Sequence, residues 1–262
     1  GNKVVLQYNP KVGKSGTMVM TMDMDMEMEM MGQKMNTEQN IEMASNMEVI
    51  ENAAETIKTK MVYQYFAMAM DVPMMGKVEY DSRKEDNEGM LAESMGAAMG
   101  DLMKQEMIVV QSRTGKTINI EGSEVLSNLQ QGGGSFNMNT LMGMSQFPEK
   151  PIAIGNSWNK KINEESMPMA FDATYTLKDI KDGKVYIDIT ADVSSNPNYV
   201  AEADNETPAP EVSGTQSGTM IYEQGTMWFI EGILNQDFDM KVSQMGMEIP
   251  MKLTSNIIMS ME

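Results

Sequence analysis

Methionine alternates with polar residues over the segment from Thr17 to Met30, whose sequence is TMVMTMDMDMEMEM. Side chains of a β-strand point alternately to the two faces of a sheet, so this pattern predicts one methionine face and one largely acidic face. An α-helix would distribute the same side chains around its whole circumference and bury no coherent surface. At about 3.3 Å per residue the strand would be roughly 45 Å long. It would contain many more residues than the about five or six that are usual for a strand. The alternation therefore predicts an unusually long strand that is buried on its methionine face.

The composition makes methionine a principal apolar residue of the chain. There are 34 methionines but only 9 leucines among 262 residues. Leu, Ile, Val and Phe together make up less than a fifth of the chain, and with a net charge of −18 that fraction is typical of disorder. Adding the methionines raises the apolar share to nearly a third, which is enough for a hydrophobic core. Methionine must therefore fill much of the interior.

The residue types that the chain lacks exclude several functions. Because it has no cysteine and no histidine, it has no Ser-His-Asp triad, no thiol nucleophile and no His/Cys zinc site. With 38 acidic and 20 basic residues it is a poor partner for nucleic acid, whose phosphates require a basic surface. It contains no run of about 18 apolar residues of the kind that spans a membrane as a helix. We therefore expect no catalytic residues, no metal site and no cofactor.

Further alternation and turn patterns predict antiparallel strands along most of the chain. The stretch 57–70 carries Tyr63 and Tyr65 on one parity and Phe66 on the other, which indicates a β-bulge or a strand covered on both faces. Asp182-Gly183 predicts a tight hairpin turn. The C-terminal part of the chain is expected to form four strands, separated by breaks near three glycines: Gly225, Gly232 and Gly246.

One amphipathic helix is predicted over residues 88–105, where apolar side chains recur at helical spacing and Asp86 or Asn87 is the expected N-cap. A second, short helix over 123–130 should end at the triple glycine 132–134. The expected fold class is therefore α+β and mostly β. Its main element would be a long curved antiparallel sheet, similar to a half-barrel, wrapped around the one amphipathic helix.

The length allows one large β domain or two smaller ones. We expect a single domain over 1–262. The glycine-rich region leaves open a subdivision near 132–150, into an N-terminal half, 1–134, and a C-terminal half, 147–262.

Three interpretations of the methionine face remain open. The face could be ordinary core, or it could form an adaptable groove for an apolar or lipid-like ligand, because methionine is unbranched and polarizable. Thioethers also bind Cu(I) and Ag(I), and a soft-metal carrier would use Met22, Met24 and Met26. We take the groove as the leading hypothesis for function. The residues expected to line it are Met20, Met22, Met24, Met26, Met28, Met95 and Met99.

The acidic side chains of the same strand predict a solvent-exposed face. Asp23, Asp25, Glu27 and Glu29 would lie about 7 Å apart in a line, whereas Ca²⁺ requires a cage of oxygens around one point. A structural or interaction module without a small ligand is the alternative function. In that case the polar loop 194–213 and the acidic faces would contact a protein partner of unknown identity.

Five segments resemble an uncharacterised family of Bacteroidetes cell-envelope proteins, many of which have lipoprotein signals. They are MTMDMDMEMEMMGQKMNTEQNIEM (20–43), VEYDS (78–82), SRTGKTINIEG (112–122), FPEKPIAIGNSW (147–158) and GTMIYEQGTMWFIEG (218–232). In layout, but not in sequence, the chain is also similar to the half-barrels of lipoprotein carriers. The resemblance implies export as a periplasmic or outer-membrane-anchored lipoprotein, with a lipid anchor removed with the leader as its only membrane contact. It implies no known activity, and we expect the protein not to be an enzyme.

Overall fold

The computed structural model describes residues 2–30, 32–72, 76–87, 89–103, 105–122, 146–163, 168–200, 210–244 and 247–262. The strands are β1 Lys3–Val4, β2 Ser15–Met30, β3 Gln33–Asn52, β4 Thr56–Val72, β5 Gly76–Asp81, β6 Glu106–Ser112, β7 Thr117–Glu121, β8 Ile152–Ala153, β9 Ser157–Ile162, β10 Met169–Lys181, β11 Lys184–Ser195, β12 Glu211–Glu223, β13 Phe229–Gln244 and β14 Met247–Met261. Helix α1 comprises Met90–Leu102. The short helix 123–130, the triple glycine 132–134 and Gly246 lie outside the described residues.

Twelve of the strands form one antiparallel sheet. Its order is β7-β6-β4-β3-β2-β14-β13-β12-β11-β10-β9, and β5 pairs with the end of β4 that β6 leaves free. Strands β1 and β8 form a separate two-stranded sheet. Because β2 pairs with β14, the first and last long strands of the chain meet at the centre of the large sheet. The prediction of a mostly β protein built from long antiparallel strands is confirmed.

Strand β2 has the two faces that its alternation predicts. On one face Met20 and Met22 are each 2% exposed, and they belong to one hydrophobic core that runs across the sheet from β6 to β9. On the other face Asp23 and Asp25 are exposed. We call the core-side surface of the sheet the inner face. Burial of several methionines per strand stabilises the fold by roughly 1.5–3 kcal/mol for each fully buried side chain.

The parity switch in β4 is a β-bulge. Tyr65 is opposite Ala44 while Tyr63 is opposite Ser45, so Gln64 is an extra residue without a partner on β3. The extra residue turns both Tyr63 and Phe66 to the inner face, where both are buried. The bulge thus keeps one continuous apolar face along a strand whose sequence changes parity.

The inner face of β12 approaches β13 very closely. A Cβ atom at Gly218 would lie 2.0 Å from the carbonyl oxygen of Ile233, and a Cβ at Gly214 would lie 2.2 Å from that of Asp237. Each glycine faces a large side chain, Leu234 and Phe238 respectively. Glycines of this kind allow a sheet to coil sharply.

Gly232 does not break the C-terminal part of the chain into a fourth strand, contrary to the prediction. It lies inside β13, opposite Met220 and Met259. A Cβ there would lie 2.3 Å from the sulfur of Met220, so the glycine makes room for a methionine of the neighbouring strand. The region 211–261 therefore contains three long strands.

Helix α1 forms within the predicted range, but its surroundings differ from the prediction. Its main contacts with strands are with β5, at the side of the sheet, whereas a helix enclosed by a half-barrel would lie over the centre. The N-cap is Gly89, without a side-chain cap. Asn87 instead accepts a hydrogen bond from the backbone N–H of Asp81, because its side chain closes the loop after β5. Within the described part of the chain, no helix has the length and apolar character needed to cross a membrane.

The predicted hairpin turn is present between β10 and β11. Asp182 and Gly183 have φ angles of 53° and 74°, as a tight two-residue turn of the type favoured by right-handed strand twist requires. The predicted loop 194–213 overlaps a strand at each end, because β11 continues to Ser195 and β12 begins at Glu211. Its residues 201–209 lie outside the described residues.

Candidate functional site

The methionines of β2 become more accessible toward one end of the strand. Met20 and Met22 are 2% exposed and Met24 is 9% exposed, whereas Met26 and Met28 are half-buried. The exposed acidic residues between them lie on the opposite face. The methionine face is therefore packed core along the middle of β2 and partly open surface toward the end where Met28 lies, while Met18, near the other end, is also half-buried.

At the open end, methionines of four adjacent strands form a single row across the sheet. Met28 of β2 is directly opposite Met35 of β3 and Met251 of β14, and Met251 is opposite Met240 of β13. All four side chains are half-buried. We call these four residues the methionine row. Directly opposed residues in an antiparallel pair have Cβ atoms about 4.5–5.5 Å apart, so the side chains of the row are neighbours.

A cleft with a volume of about 760 Å³ opens beside this row. Its lining includes Met28, Met240, Met251 and Val212 of the inner face, together with outward-pointing residues that flank them in sequence, such as Glu27, Glu29, Lys241 and Pro250. The volume lies within the range of about 300–1,000 Å³ that is usual for small-molecule sites. The cleft is therefore large enough for a small apolar molecule or part of a lipid chain.

The rim of the cleft carries charges of both signs. Seven ionisable residues contribute to its lining: Glu27, Glu29, Lys34, Glu211, Asp239, Lys241 and Lys252. Lys241 lies 3.5 Å from the carboxylate of Glu211, and Lys252 lies 3.5 Å from that of Asp237. These pairs are exposed and contribute little to stability. The lining of the cleft consequently combines a few apolar residues with a larger number of polar and charged ones, whose charges nearly balance.

A hydrogen-bonded polar row crosses the inner face deeper in the core. The side chain of Gln236 donates to Oε1 of Gln216 over 2.8 Å, and the Ser255 hydroxyl donates to Oε1 of Gln236 over 2.7 Å. Gln216 is only 2% exposed. Buried polar groups of this kind fix strand register, because a slipped strand would leave them without partners. The polar row therefore fixes the alignment of β12, β13 and β14 on which the methionine row depends.

The opposite end of the inner face is closed by the N-terminal segment. Tyr8 is buried and stacks on Trp228, with 6.5 Å between the ring centroids. Burial raises the pKa of Tyr8 to about 12, so its hydroxyl is neutral at physiological pH. The cavity beside these rings has a volume of only about 80 Å³, although Met18 and Met261 contribute to its lining. This end is too small for a ligand of the size that the cleft can accept.

Arg113 fastens the segment at the closed end. Its guanidinium donates to the carbonyl oxygens of Tyr8, Ala53 and Ala54 and to the side-chain oxygens of Asn9 and Asn52. One side chain thus joins the N-terminal segment, the β3–β4 turn and the β6–β7 hairpin. The two ends of the inner face therefore differ. The end at Tyr8 is closed by the hydrogen bonds of Arg113, and the end at Met28 is open.

The structure separates the seven methionines that were predicted to line a groove. Met28 lies at the cleft, and Met26 is half-buried one side-chain row deeper. Met20, Met22 and Met24 are buried in the core. Met95 and Met99 lie on α1, which packs on β5, and β3 and β4 lie between β5 and the strand that carries Met28. Sequence reasoning did not identify Met240 and Met251, although both follow the inward parity of their strands.

The acidic residues do not form a metal site in the part of the chain that the structure describes. No group of three or more Asp or Glu side chains is arranged there to hold an ion.

Residues 129–229 match the model of a family of unknown function, DUF6263. No curated protein sequence matches the chain. The fold is similar to that of lipovitellin, in a solved structure concerned with lipid–protein interactions in that protein. The TM-score is 0.57 at 10% sequence identity, and the match covers 96% of this chain. The chain spans 25% of the lipovitellin chain, and at this identity the similarity concerns the fold alone.

Proposed function

We propose that the protein is a non-enzymatic binding protein of the cell envelope, which holds an apolar or lipid-like molecule in the cleft beside the methionine row. The observation that carries this proposal is the cleft of about 760 Å³ with Met28, Met240 and Met251 in its wall. Flexible, polarizable methionines adapt to apolar ligands of irregular shape. The ligand site is thus smaller than the groove expected from the sequence, because Met20 and Met22 serve the core.

The difference between the two ends of the sheet supports this location. Arg113 and Tyr8 close one end, so an apolar ligand would enter and leave at the end where Met28 lies. The fold similarity to lipovitellin, whose solved structure concerns lipid–protein interactions, agrees with an apolar ligand. The envelope location rests on the sequence resemblance, and fractionation of cells that produce the full-length protein would test it.

Binding of a neutral apolar fluorophore, N-phenyl-1-naphthylamine, to delipidated protein tests the proposal. We expect saturable binding that palmitate competes away. Met251→Glu should weaken binding at least about tenfold, because burying a carboxylate beside the ligand costs more than about 1.4 kcal/mol.

Thr254→Glu is the matched control, because it places the same charge on the same strand but on the opposite face. It should bind the fluorophore like the unmodified protein. The absence of saturable binding by the unmodified protein would contradict the proposal, and so would equal loss in the two variants. That result would favour an interaction module without a small ligand.

A further inference from the structure

We propose that Met28, Met240 and Met251 also form a thioether site for a soft monovalent cation, Cu(I) or Ag(I). This site does not depend on the apolar ligand proposed above, although it lies in the same cleft. Thioether sulfur is a soft ligand that favours Cu(I) over hard cations such as Ca²⁺ or Mg²⁺. The order of the strands places these three methionines side by side.

The arrangement across the sheet suits one ion better than the arrangement along one strand. Successive inward methionines of a single strand, such as Met22, Met24 and Met26, are about 6.6 Å apart. The opposed methionines Met28 and Met251, and likewise Met251 and Met240, lie on strands only about 4.8 Å apart. Three sulfurs around one ion at about 2.3 Å, the usual Zn–S(Cys) distance, would lie about 4 Å apart. Met28 and Met240 flank Met251 on strands about 9.6 Å apart, so both side chains must lean toward Met251, which unbranched methionine allows.

Accessibility distinguishes this row from other methionines that are opposed across strands. Met20 is also directly opposite Met43 and Met259, but these three side chains are 2%, 6% and 4% exposed. Burying a cation there would carry a large desolvation cost that uncharged sulfurs offset poorly. Met28, Met240 and Met251 are half-buried, so a cation held by them would keep part of its contact with water and the desolvation cost would be smaller. The cleft row is therefore the better site.

The composition restricts the side chains that could bind a soft cation. The chain has no cysteine and no histidine, so tight binding of Ag(I) or Cu(I) must be attributed mainly to thioethers. Thioethers do not titrate, whereas thiol and imidazole ligands lose protons when they bind metal. The affinity should therefore change less than about twofold between pH 8 and pH 6.

The experiment is a titration of the full chain with Ag(I), and with Cu(I) in competition with a chromophoric chelator, followed by native mass spectrometry. We expect one tight equivalent per chain. The triple variant Met28→Leu, Met240→Leu, Met251→Leu should lose at least about 90% of that binding, because leucine keeps the apolar volume but removes the sulfur.

A second triple variant, Met20→Leu, Met43→Leu, Met259→Leu, is the matched control. It removes three opposed methionines from the buried core and should retain the tight equivalent. Circular dichroism establishes that both variants are folded. Tight binding that persists in the cleft variant would place the site on other methionines and overturn the proposal, and the absence of a tight equivalent in the unmodified chain would also overturn it. Saturable binding of N-phenyl-1-naphthylamine is measured on the unmodified chain in parallel, so failure of this proposal and failure of the apolar-ligand proposal are distinguishable.

Discussion

At the scale of single residues, methionine and glycine have complementary roles on the inner face. Methionine supplies apolar volume that adapts to its neighbours, as where the side chain of Met220 occupies the space above Gly232. Gly214 and Gly218 supply the opposite property, because the absence of a Cβ lets β13 approach closely. Flexible methionine side chains, together with glycines that lack a Cβ, allow a closely packed sheet with few leucines.

Gly218→Ala should destabilise the protein by about 3 kcal/mol or more, because its Cβ would lie 2.0 Å from a backbone oxygen that a rotamer change cannot move. Gly183→Ala is the comparison. A Cβ at Gly183 would have no other atom within 4 Å. The substitution should therefore lower the free energy of unfolding by only about 1–2 kcal/mol, because alanine disfavours the left-handed backbone conformation. Urea unfolding at neutral pH measures both. Equal costs for the two variants would contradict the close approach of β12 and β13.

At the scale of elements, alternation predicts the face of a strand but not its neighbours. The inward methionines of β2 and the bulge in β4 could both be inferred from local sequence, because side-chain direction depends only on backbone periodicity. The position of Gly232 could not, because a glycine inside a strand and a glycine in a turn look alike until the opposite residue, Met220, is known. The N-cap at Gly89 was missed for a similar reason, since Asn87 bonds to the preceding loop.

The turn between β12 and β13 provides a prediction on pH. The hydroxyl of Thr226 and the ammonium of Lys14, which lies 3.1 Å from the carboxylate, lower the pKa of Glu223 below its ordinary value. A lowered pKa stabilises the folded state above the ordinary glutamate pKa, and this contribution is lost as the pH falls through the folded value. Glu223→Gln should therefore cost about 0.5–1 kcal/mol at pH 7, since the pair is partly exposed.

The cost of Glu223→Gln should shrink as the pH falls below about 4.5, where the unmodified carboxyl also becomes neutral. Thermal or urea unfolding from pH 7 to pH 3 measures the difference between the two proteins. Lys14→Met, alone and combined with Glu223→Gln, isolates the ion pair. A cost that stays constant over this range would show that the charge of Glu223 is not what stabilises the turn.

At the scale of the whole molecule, the pairing of the first long strand with the last creates the candidate site. Met28 and Met251 are distant in sequence, and they meet only because β2 and β14 are neighbours. The sequence therefore predicted a methionine face but not the row across four strands. It also could not show which part of that face is core, because Met22 and Met28 occupy equivalent positions in the alternation and differ only in what covers them.

An apolar ligand should bind at the open end of the inner face and not in its core. Methyl NMR of protein labelled with ¹³C at the methionine methyl groups, during titration with palmitate, tests that claim most directly. We expect saturable shifts of the Met28, Met240 and Met251 signals, with the signals of Met20 and Met22 unchanged. Shifts confined to the buried methionines, or no saturable shift at the cleft, would contradict the claim.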